Sequence, residues 1–223
     1  MAEQGLRAVI WDLDGVIIDS AQAHFRAWQR LAQEEGWRLS EEEFRATFGM
    51  RNDRIIPLLW GEMPPERIRA LSERKEAYFR ELVRQNPQSL ALPGALELLQ
   101  AVHEAGIAQA LASSTPPENI ALISELLGLQ RYLQALISGE MVERGKPAPD
   151  IFLKAAEALQ VPPSACVVIE DAVAGIEAAH AAGMRCLAVA TTREPEALYE
   201  ADLVVRSLSE VNVERLRALI PAS

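Results

Sequence analysis

The sequence has only two cysteines, Cys166 and Cys186, and each lies in an apolar run typical of a buried strand. Neither has neighbours that suggest a metal site, so we expect both thiols to be reduced and inert, as in a reducing compartment. No apolar run approaches the length needed to span a membrane, and the N-terminus shows no signal-like segment. These absences predict a cytoplasmic protein.

Positive charge is also scarce, because 22 Lys and Arg residues stand against 32 Asp and Glu residues, giving a net charge of -10. Nucleic acids and anionic membranes both require a basic footprint, so we expect neither as a main partner. A small phosphorylated metabolite needs only a few local cations and is compatible with this balance. The acidic surface makes a monomer the expected state.

Internal repeats and low-complexity segments are absent, and the 49% hydrophobic and 24% charged residues are typical of a globular protein. The first apolar run, from Val9, has the length of a strand, and about seventy residues of helical spacing follow it. Strands and helices then alternate, which predicts an α/β, Rossmann-like parallel sheet with helices on both faces. We therefore expect a core domain of residues 1–18 and 88–223. The inserted all-helical cap domain, residues 19–87, would overhang the carboxyl ends of the strands.

Apolar runs predict the later strands at residues 107–112, 133–137, 166–169, 185–190 and 203–205. Helices are predicted from about Ala95 and at residues 118–127, 150–159, 173–182 and 208–219. In the cap, Ser40 followed by acidic residues predicts a capped helix start.

Two carboxylates, Asp12 and Asp14, follow the first strand directly and precede Gly15. Ionised carboxylates at the end of a buried strand are costly unless a cation or several donors neutralise them. The pattern therefore favours a cation site. The alternative is a solvated turn after an edge strand, where Asp and Gly are ordinary residues.

Polar residues also end three further strands or their loops: Ser113, Ser114 and Thr115, then Lys146, then Glu170 and Asp171. Carboxyl ends of parallel strands share one edge of the sheet, so we expect these side chains to converge. Carboxylate oxygens beside a lysine and hydroxyls suit Mg2+ together with a phosphate. A helix-capping role is also open for this serine and threonine group, and it suits Ser114 or Thr115 better than Ser113.

Four segments carry a resemblance: residues 12–16 (DLDGV), 112–116 (ASSTP), 145–150 (GKPAPD) and 169–176 (IEDAVAGI). They resemble, in order, the motifs of the haloacid dehalogenase superfamily of phosphotransferases. The helical segment after the first strand is similar to the branch that contains sugar-phosphate phosphatases and β-phosphoglucomutase. The resemblance implies Mg2+ as cofactor and an aspartyl-phosphate intermediate.

The core roles follow from this resemblance and from the chemistry of each group. Asp12 would attack phosphorus and bind the metal, while Asp14 would act as general acid and base and give its backbone carbonyl to the metal. Ser113 would donate to a phosphoryl oxygen, and Lys146 would neutralise charge on the nucleophile and the phosphoryl group. In the metal set, Asp171 would be a direct ligand, and Glu170 would support it through hydrogen bonds or metal-bound water.

Substrate contacts are expected from the cap. Lys75 occupies a place in an apolar helical stripe, so its ammonium either snorkels to water or faces a ligand. The resemblance favours the ligand, because Lys75 and Tyr78 match a cap motif of the family. His24 resembles a cap histidine of the mutase that is linked to the acid/base aspartate, although a partly exposed helix histidine is the alternative.

The choice between phosphatase and mutase depends on cations that would grip a second phosphate. Phe48 stands before the cap-loop Gly49, where the mutase pattern has a lysine, although Arg51 remains nearby. Pro116 also stands where the mutase has a lysine, and Ser114 is more typical of the sugar phosphatases. We therefore expect hydrolysis, with a phosphosugar mutase as the alternative. A non-catalytic phospho-ligand-binding module would predict damage to a motif, and the motif residues are intact.

Overall fold

The computed structural model describes residues 5–85, 87 and 90–220. It divides into two compact units, Met1–Asp19 with Ala91–Ser223, and Ser20–Leu90. The predicted boundary lies between residues 87 and 88, and residue 88 is outside the described residues. Among the described residues, no helix is long and apolar enough to cross a membrane.

The larger unit is built on a parallel sheet, which has six strands within the described residues. The strands are β1 (Ala8–Trp11), β2 (Ala108–Ser113), β3 (Ala135–Ser138), β4 (Cys166–Glu170), β5 (Arg185–Val189) and β6 (Leu203–Val205). Their order is β3-β2-β1-β4-β5-β6. The order reverses between β1 and β4, and such a switch point is where open parallel sheets bind ligands.

The smaller unit is helical throughout its described elements. Its helices are α1 (Ala21–Glu34), α2 (Glu41–Thr47), α3 (Asn52–Trp60) and α4 (Pro65–Gln85). Ser40 caps α2 in a reciprocal capping box with Glu43, as the sequence predicted. Trp28, Leu31 and Ile56 belong to the buried cluster that packs these helices together.

Helices cover both faces of the sheet: α5 (Ala95–Glu104), α6 (Pro117–Leu127), α7 (Asp150–Leu159), α8 (Val173–Ala181) and α9 (Val213–Leu219). On one face, Ile10 shares a core cluster with Phe152 of α7 and Ile176 of α8. On the other face, the Trp11 indole donates to Gln109, whose amide donates to a carbonyl of α5. Successive strand residues point to opposite faces, so β1 is buried on both. The predicted fold class is confirmed.

The last predicted helix, residues 208–219, is wrong in its first half. A short 3-10 turn, Leu208–Glu210, comes first, and α9 begins only at Val213. The Asn212 side chain accepts a hydrogen bond from the backbone N–H of Arg215 and caps the new helix. An asparagine in this position competes for the backbone and starts a helix rather than continuing one.

Candidate active site

The sheet register places Asp12 and Asp14, after β1, beside Glu170 and Asp171 at the end of β4. Trp11 of β1 pairs with Ile169 of β4, and the backbone N–H of Asp12 donates to the carbonyl of Ile169 at 3.0 Å. After Asp14 the chain turns back at Gly15, where φ is +78° and the N–H donates to the carbonyl of Ile18. Asp12 and Asp14 are only 6% and 8% exposed, so the solvated-turn alternative is wrong.

Lys146 joins two of the predicted strand ends. Its ammonium donates to Asp12 Oδ1 at 2.6 Å and to Glu170 Oε1 at 2.5 Å, and its side chain is buried. The ring of Phe152 lies 4.9 Å from the ammonium and covers it with apolar surface. The structure thus brings the predicted nucleophile, cation and strand-four acid into one hydrogen-bonded cluster.

Glu170 accepts hydrogen bonds on both of its carboxylate oxygens and so connects Lys146 to the backbone after β4. While Oε1 accepts from Lys146, Oε2 accepts from the backbone N–H groups of Asp171 at 2.8 Å and Ala172 at 3.0 Å. Gly175 leaves room for the carboxyl group, since a Cβ at that position would overlap Glu170 Cδ. Both oxygens of Glu170 are therefore engaged by donors of the chain itself.

A threonine that the motifs did not assign orients the second aspartate. The Thr115 hydroxyl donates to Asp14 Oδ2 at 2.5 Å, and the Thr115 N–H donates to Ser113 Oγ at 3.2 Å. Ser138 fixes the same loop by donating to the Thr115 carbonyl at 2.9 Å. Ser114 lies partly exposed in this loop.

The capping role considered for Ser114 or Thr115 is wrong. Pro116 stands at the N-cap of α6 and makes no side-chain capping hydrogen bond. Pro117 at the first helical position needs no partner for a backbone N–H. The Thr115 hydroxyl is consequently available for Asp14 rather than for the helix.

Two further threonines of the site, Thr191 and Thr192, were missed by the sequence analysis. The Thr192 hydroxyl donates to Asp171 Oδ2, and the Thr191 hydroxyl donates to the carbonyl of Gly15. Both residues directly follow the predicted strand 185–190. The rule that collected polar residues at the other strand ends would have found them.

In the core cluster, carboxyl groups outnumber the cation Lys146, and several of their pKa values are shifted. Burial raises the pKa of Asp12 to about 7; the Lys146 charge opposes this, and Glu170 and Asp14 add to it. Burial likewise raises the pKa of Asp171 well above its usual range, with Glu170 and Asp12 contributing. Burial alone would lower the pKa of Lys146, but the charges of Asp12 and Glu170 outweigh it and raise the pKa.

This charge balance fits a divalent cation. Asp12, Glu170 and Asp171 carry three negative charges when ionised, and the Lys146 ammonium offsets one of them. Within the described residues no three His, Cys, Asp or Glu side chains cluster so as to hold a metal by themselves.

The smaller unit contains its own buried polar cluster. Lys75 Nζ lies 2.6 Å from His24 Nδ1 and 2.8 Å from Glu76 Oε1, and the Asn52 amide donates to Glu76 Oε1 at 2.7 Å. The His24 ring stacks on Phe79 at 3.9 Å between centroids. Lys75 is 2% exposed, so the snorkelling alternative is wrong, and His24 is buried rather than partly exposed.

The cap loop lies beside this cluster. Phe48, which precedes Gly49, packs edge-on against the His24 ring at 6.0 Å. Gly49 has φ of +88°, and a Cβ there would meet no atom within 4 Å. Arg51 donates two hydrogen bonds to the carboxylate of Asp53, at 3.1 and 3.0 Å. The predicted substrate-binding residues Gly49 and Arg51 thus lie in one loop, where the Arg51 guanidinium is already paired with the Asp53 carboxylate.

Glu76 should make the stability of the protein depend on pH. Burial acts to raise the pKa of Glu76, but the charges of Lys75 and His24 outweigh it and lower the pKa to about 2. The stabilisation is fully present above the usual pKa of 4.5 and is lost as the pH falls toward 2. We expect Glu76→Gln to lower the unfolding free energy at neutral pH by on the order of 3 kcal/mol.

Urea unfolding from about pH 7 to about pH 3 checks this expectation. The difference between wild type and Glu76→Gln should shrink as the pH falls, because protonated Glu76 no longer pairs with Lys75. Glu73→Gln, an exposed change in the same helix, is the matched control and should stay close to wild type. A deficit in Glu76→Gln that is constant over the whole range would contradict the electrostatic explanation.

Comparisons with known proteins agree with this geometry. Residues 6–183 match the family model described as "haloacid dehalogenase-like hydrolase". The chain is 32% identical to the "Phosphorylated carbohydrates phosphatase" of Thermotoga maritima, over 89% of this chain and 93% of that protein. It is 34% identical to the β-phosphoglucomutase of Bacillus subtilis, over 95% and 94% respectively.

Among solved structures, the β-phosphoglucomutase of Clostridium difficile is similar, with a TM-score of 0.88 at 29% identity and 96% of each chain covered. The match to the family model covers well over half of the chain. The phosphatase of Thermotoga maritima and the mutase of Bacillus subtilis each match this chain over nearly their whole length. This chain therefore belongs to the haloacid dehalogenase-like hydrolases.

Proposed function

We propose that this enzyme is a magnesium-dependent phosphatase that hydrolyses small phosphomonoesters, in particular sugar phosphates, through an aspartyl-phosphate on Asp12. The observation that carries the proposal is the contact of the Lys146 ammonium with Asp12, beside an Asp14 carboxylate that Thr115 holds in place. A nucleophile with a bound cation and a separately oriented acid are the two parts that phosphoryl transfer to a carboxylate needs.

In the first step an Asp12 oxygen attacks phosphorus and the bond to the leaving alkoxide breaks. Lys146 favours the ionised form of Asp12 and reduces its repulsion with the phosphate. Asp14 donates its proton to the departing oxygen, and Ser113 donates a hydrogen bond to the transferring group. The products are a free alcohol and Asp12 carrying the phosphoryl group.

In the second step Asp14, now ionised, removes a proton from water, which attacks the phosphorus. The bond to the Asp12 oxygen breaks, inorganic phosphate leaves, and both aspartates return to their starting states. The Thr115 hydroxyl, which donates to Asp14 Oδ2, orients the carboxylate for both proton transfers.

Asp12 and Asp171 would hold the Mg2+ ion, with the backbone carbonyl of Asp14 as a further ligand. When bound, Mg2+ supplies positive charge that offsets the repulsion between two anions. Glu170 would support the site by holding Lys146 and the backbone N–H of Asp171.

The proposed substrate class rests on relatives whose names refer to phosphorylated carbohydrates and to a phosphoglucomutase. The proposed substrate contacts are Ser114 on the core and His24, Gly49, Arg51 and Lys75 on the cap. The buried pairing of His24 with Lys75 keeps an ammonium among aromatic rings, where a sugar hydroxyl would be a suitable additional acceptor. The partner is thus a small phosphorylated metabolite.

Hydrolysis is favoured over mutase activity because two lysines of the mutase pattern are missing from this sequence. Arg51 is already engaged by Asp53, and Phe48 and Pro116 replace the lysines of the mutase pattern. A mutase must hold two phosphates at once, and these replacements remove charge that would do so.

A substrate panel tests the proposal. Metal-free protein would be assayed with and without added Mg2+ on hexose, pentose and polyol phosphates and on phosphoglycolate, scoring free phosphate and isomerised product separately. We expect release of phosphate that requires Mg2+. Isomerisation of β-glucose 1-phosphate, stimulated by the bisphosphate, would instead establish the mutase, and absence of turnover on every ester would favour the binding module.

A further inference from the structure

Thr191 and Thr192 follow β5, which neighbours β4 and not β1 in the sheet. The Thr191 hydroxyl nevertheless reaches the carbonyl of Gly15, in the loop after β1. The segment therefore crosses the end of β4, where Asp171 lies. Thr192 is in this way held directly against the Asp171 carboxylate and donates to its Oδ2.

The Asp171 carboxyl group is fixed from two sides. It is 4% exposed, and a Cβ on Gly15 would overlap its Oδ2 and lie 2.9 Å from the Thr192 methyl carbon. This packing leaves no room for the carboxyl group to move toward Gly15, while the Thr192 hydroxyl occupies Oδ2. A cation that binds Oδ2 must share that oxygen with the hydroxyl, which makes Oδ1 the favoured ligand atom.

The number of oxygens that a carboxylate offers matters for the choice of cation. Mg2+ takes six ligands in a compact octahedron, whereas Ca2+ takes about six to eight, and its carboxylate ligands are often bidentate. A carboxylate with one oxygen already engaged suits Mg2+ and penalises Ca2+. We propose that Thr192 makes Asp171 a one-oxygen ligand and thereby sets the preference of the site for Mg2+ over Ca2+.

This inference rests on the proposed function, because it takes Asp171 as a ligand of the cation. Isothermal titration calorimetry of Mg2+ and of Ca2+ into metal-free wild type, Thr192→Val and Thr192→Ser tests it without any assay of turnover. We expect Thr192→Val to weaken Mg2+ binding by about 10- to 100-fold, the usual effect of losing such a supporting hydrogen bond. Ca2+ binding should weaken less or improve, so the ratio of the two affinities shifts toward Ca2+. Thr192→Ser should keep the ratio of the wild type.

Thr47→Val is the matched control, since it removes a buried threonine hydroxyl that donates to the backbone carbonyls of Glu43 and Phe44 in the smaller unit; it should leave the Mg2+ to Ca2+ ratio unchanged. Thr192→Ala provides a second variant without the hydroxyl in case Thr192→Val folds poorly. Equal losses for both cations, or no change in either, would overturn the inference while leaving the phosphatase proposal intact. Failure of the wild type to bind Mg2+ would overturn both.

Discussion

Asparagine in place of Asp12 is expected to reduce phosphate release by on the order of 10^4-fold or more, with the fold retained. The amide oxygen is neutral and a poor nucleophile toward phosphorus, and Glu170, the other carboxylate that contacts Lys146, is already occupied by three donors. The substitution also removes one negative charge from a buried acidic cluster. We therefore expect the metal-free variant to be no less stable than the wild type.

Phosphate release and urea unfolding would be measured on the same preparations. Asp19→Asn, which changes an exposed carboxylate a few residues along the chain, is the control and should retain wild-type turnover. Ordinary turnover in Asp12→Asn would remove Asp12 from the nucleophile role. A variant that loses turnover only in proportion to lost folded protein would assign Asp12 to structure instead of chemistry.

The sheet was predictable because its central strands, β1 and β4, are buried along their whole length and therefore appear in the sequence as continuous apolar runs. The predicted strand at residues 166–169 is β4, Cys166–Glu170, and the predicted helix at residues 150–159 is α7. Local signals were sufficient at such places, since period, length and flanking turn residues all agree. The convergence of Asp12, Lys146 and Glu170 followed from topology alone.

The contacts that orient these groups could not be predicted in the same way, because their partners are distant in the chain. Thr115 lies 101 residues from Asp14, and Lys75 lies 51 residues from His24. A hydroxyl just before a helix can cap that helix, or it can donate to a carboxylate that is distant in the chain. Only the folded chain shows that Thr115 takes the second, because the turn between β2 and α6 points its hydroxyl at Asp14.

Periodicity placed Lys75 correctly on an apolar stripe but gave no reason for its burial. The reason is Glu76, the next residue, whose carboxylate pairs with the ammonium inside the cap. Adjacent helical residues are not expected to face each other, so the stripe that includes Lys75 gave no indication of this pair. A buried charge pair of this kind stabilises only when further donors complete it, as Asn52 does.

Alanine at Gly15 is expected to cost far more stability than its backbone conformation explains. Gly15 has φ of +78°, and Gly106 has φ of +71° with no atom within 4 Å of an added Cβ. Gly106→Ala therefore measures the backbone cost alone, about 1–2 kcal/mol. At Gly15 the added Cβ would also overlap the Asp171 carboxylate and press on Thr192, which adds about 1–3 kcal/mol of overpacking.

Urea unfolding of both variants, with Mg2+ titrated by calorimetry, separates the two effects. Gly15→Ala should be the less stable variant and should bind Mg2+ more weakly, because Asp171 must move to make room. Gly106→Ala should bind Mg2+ as the wild type does. Equal destabilisation in the two variants would show that the loop after β1 can shift away from Asp171. The close packing that fixes this carboxylate in place would then not be a constraint on the site.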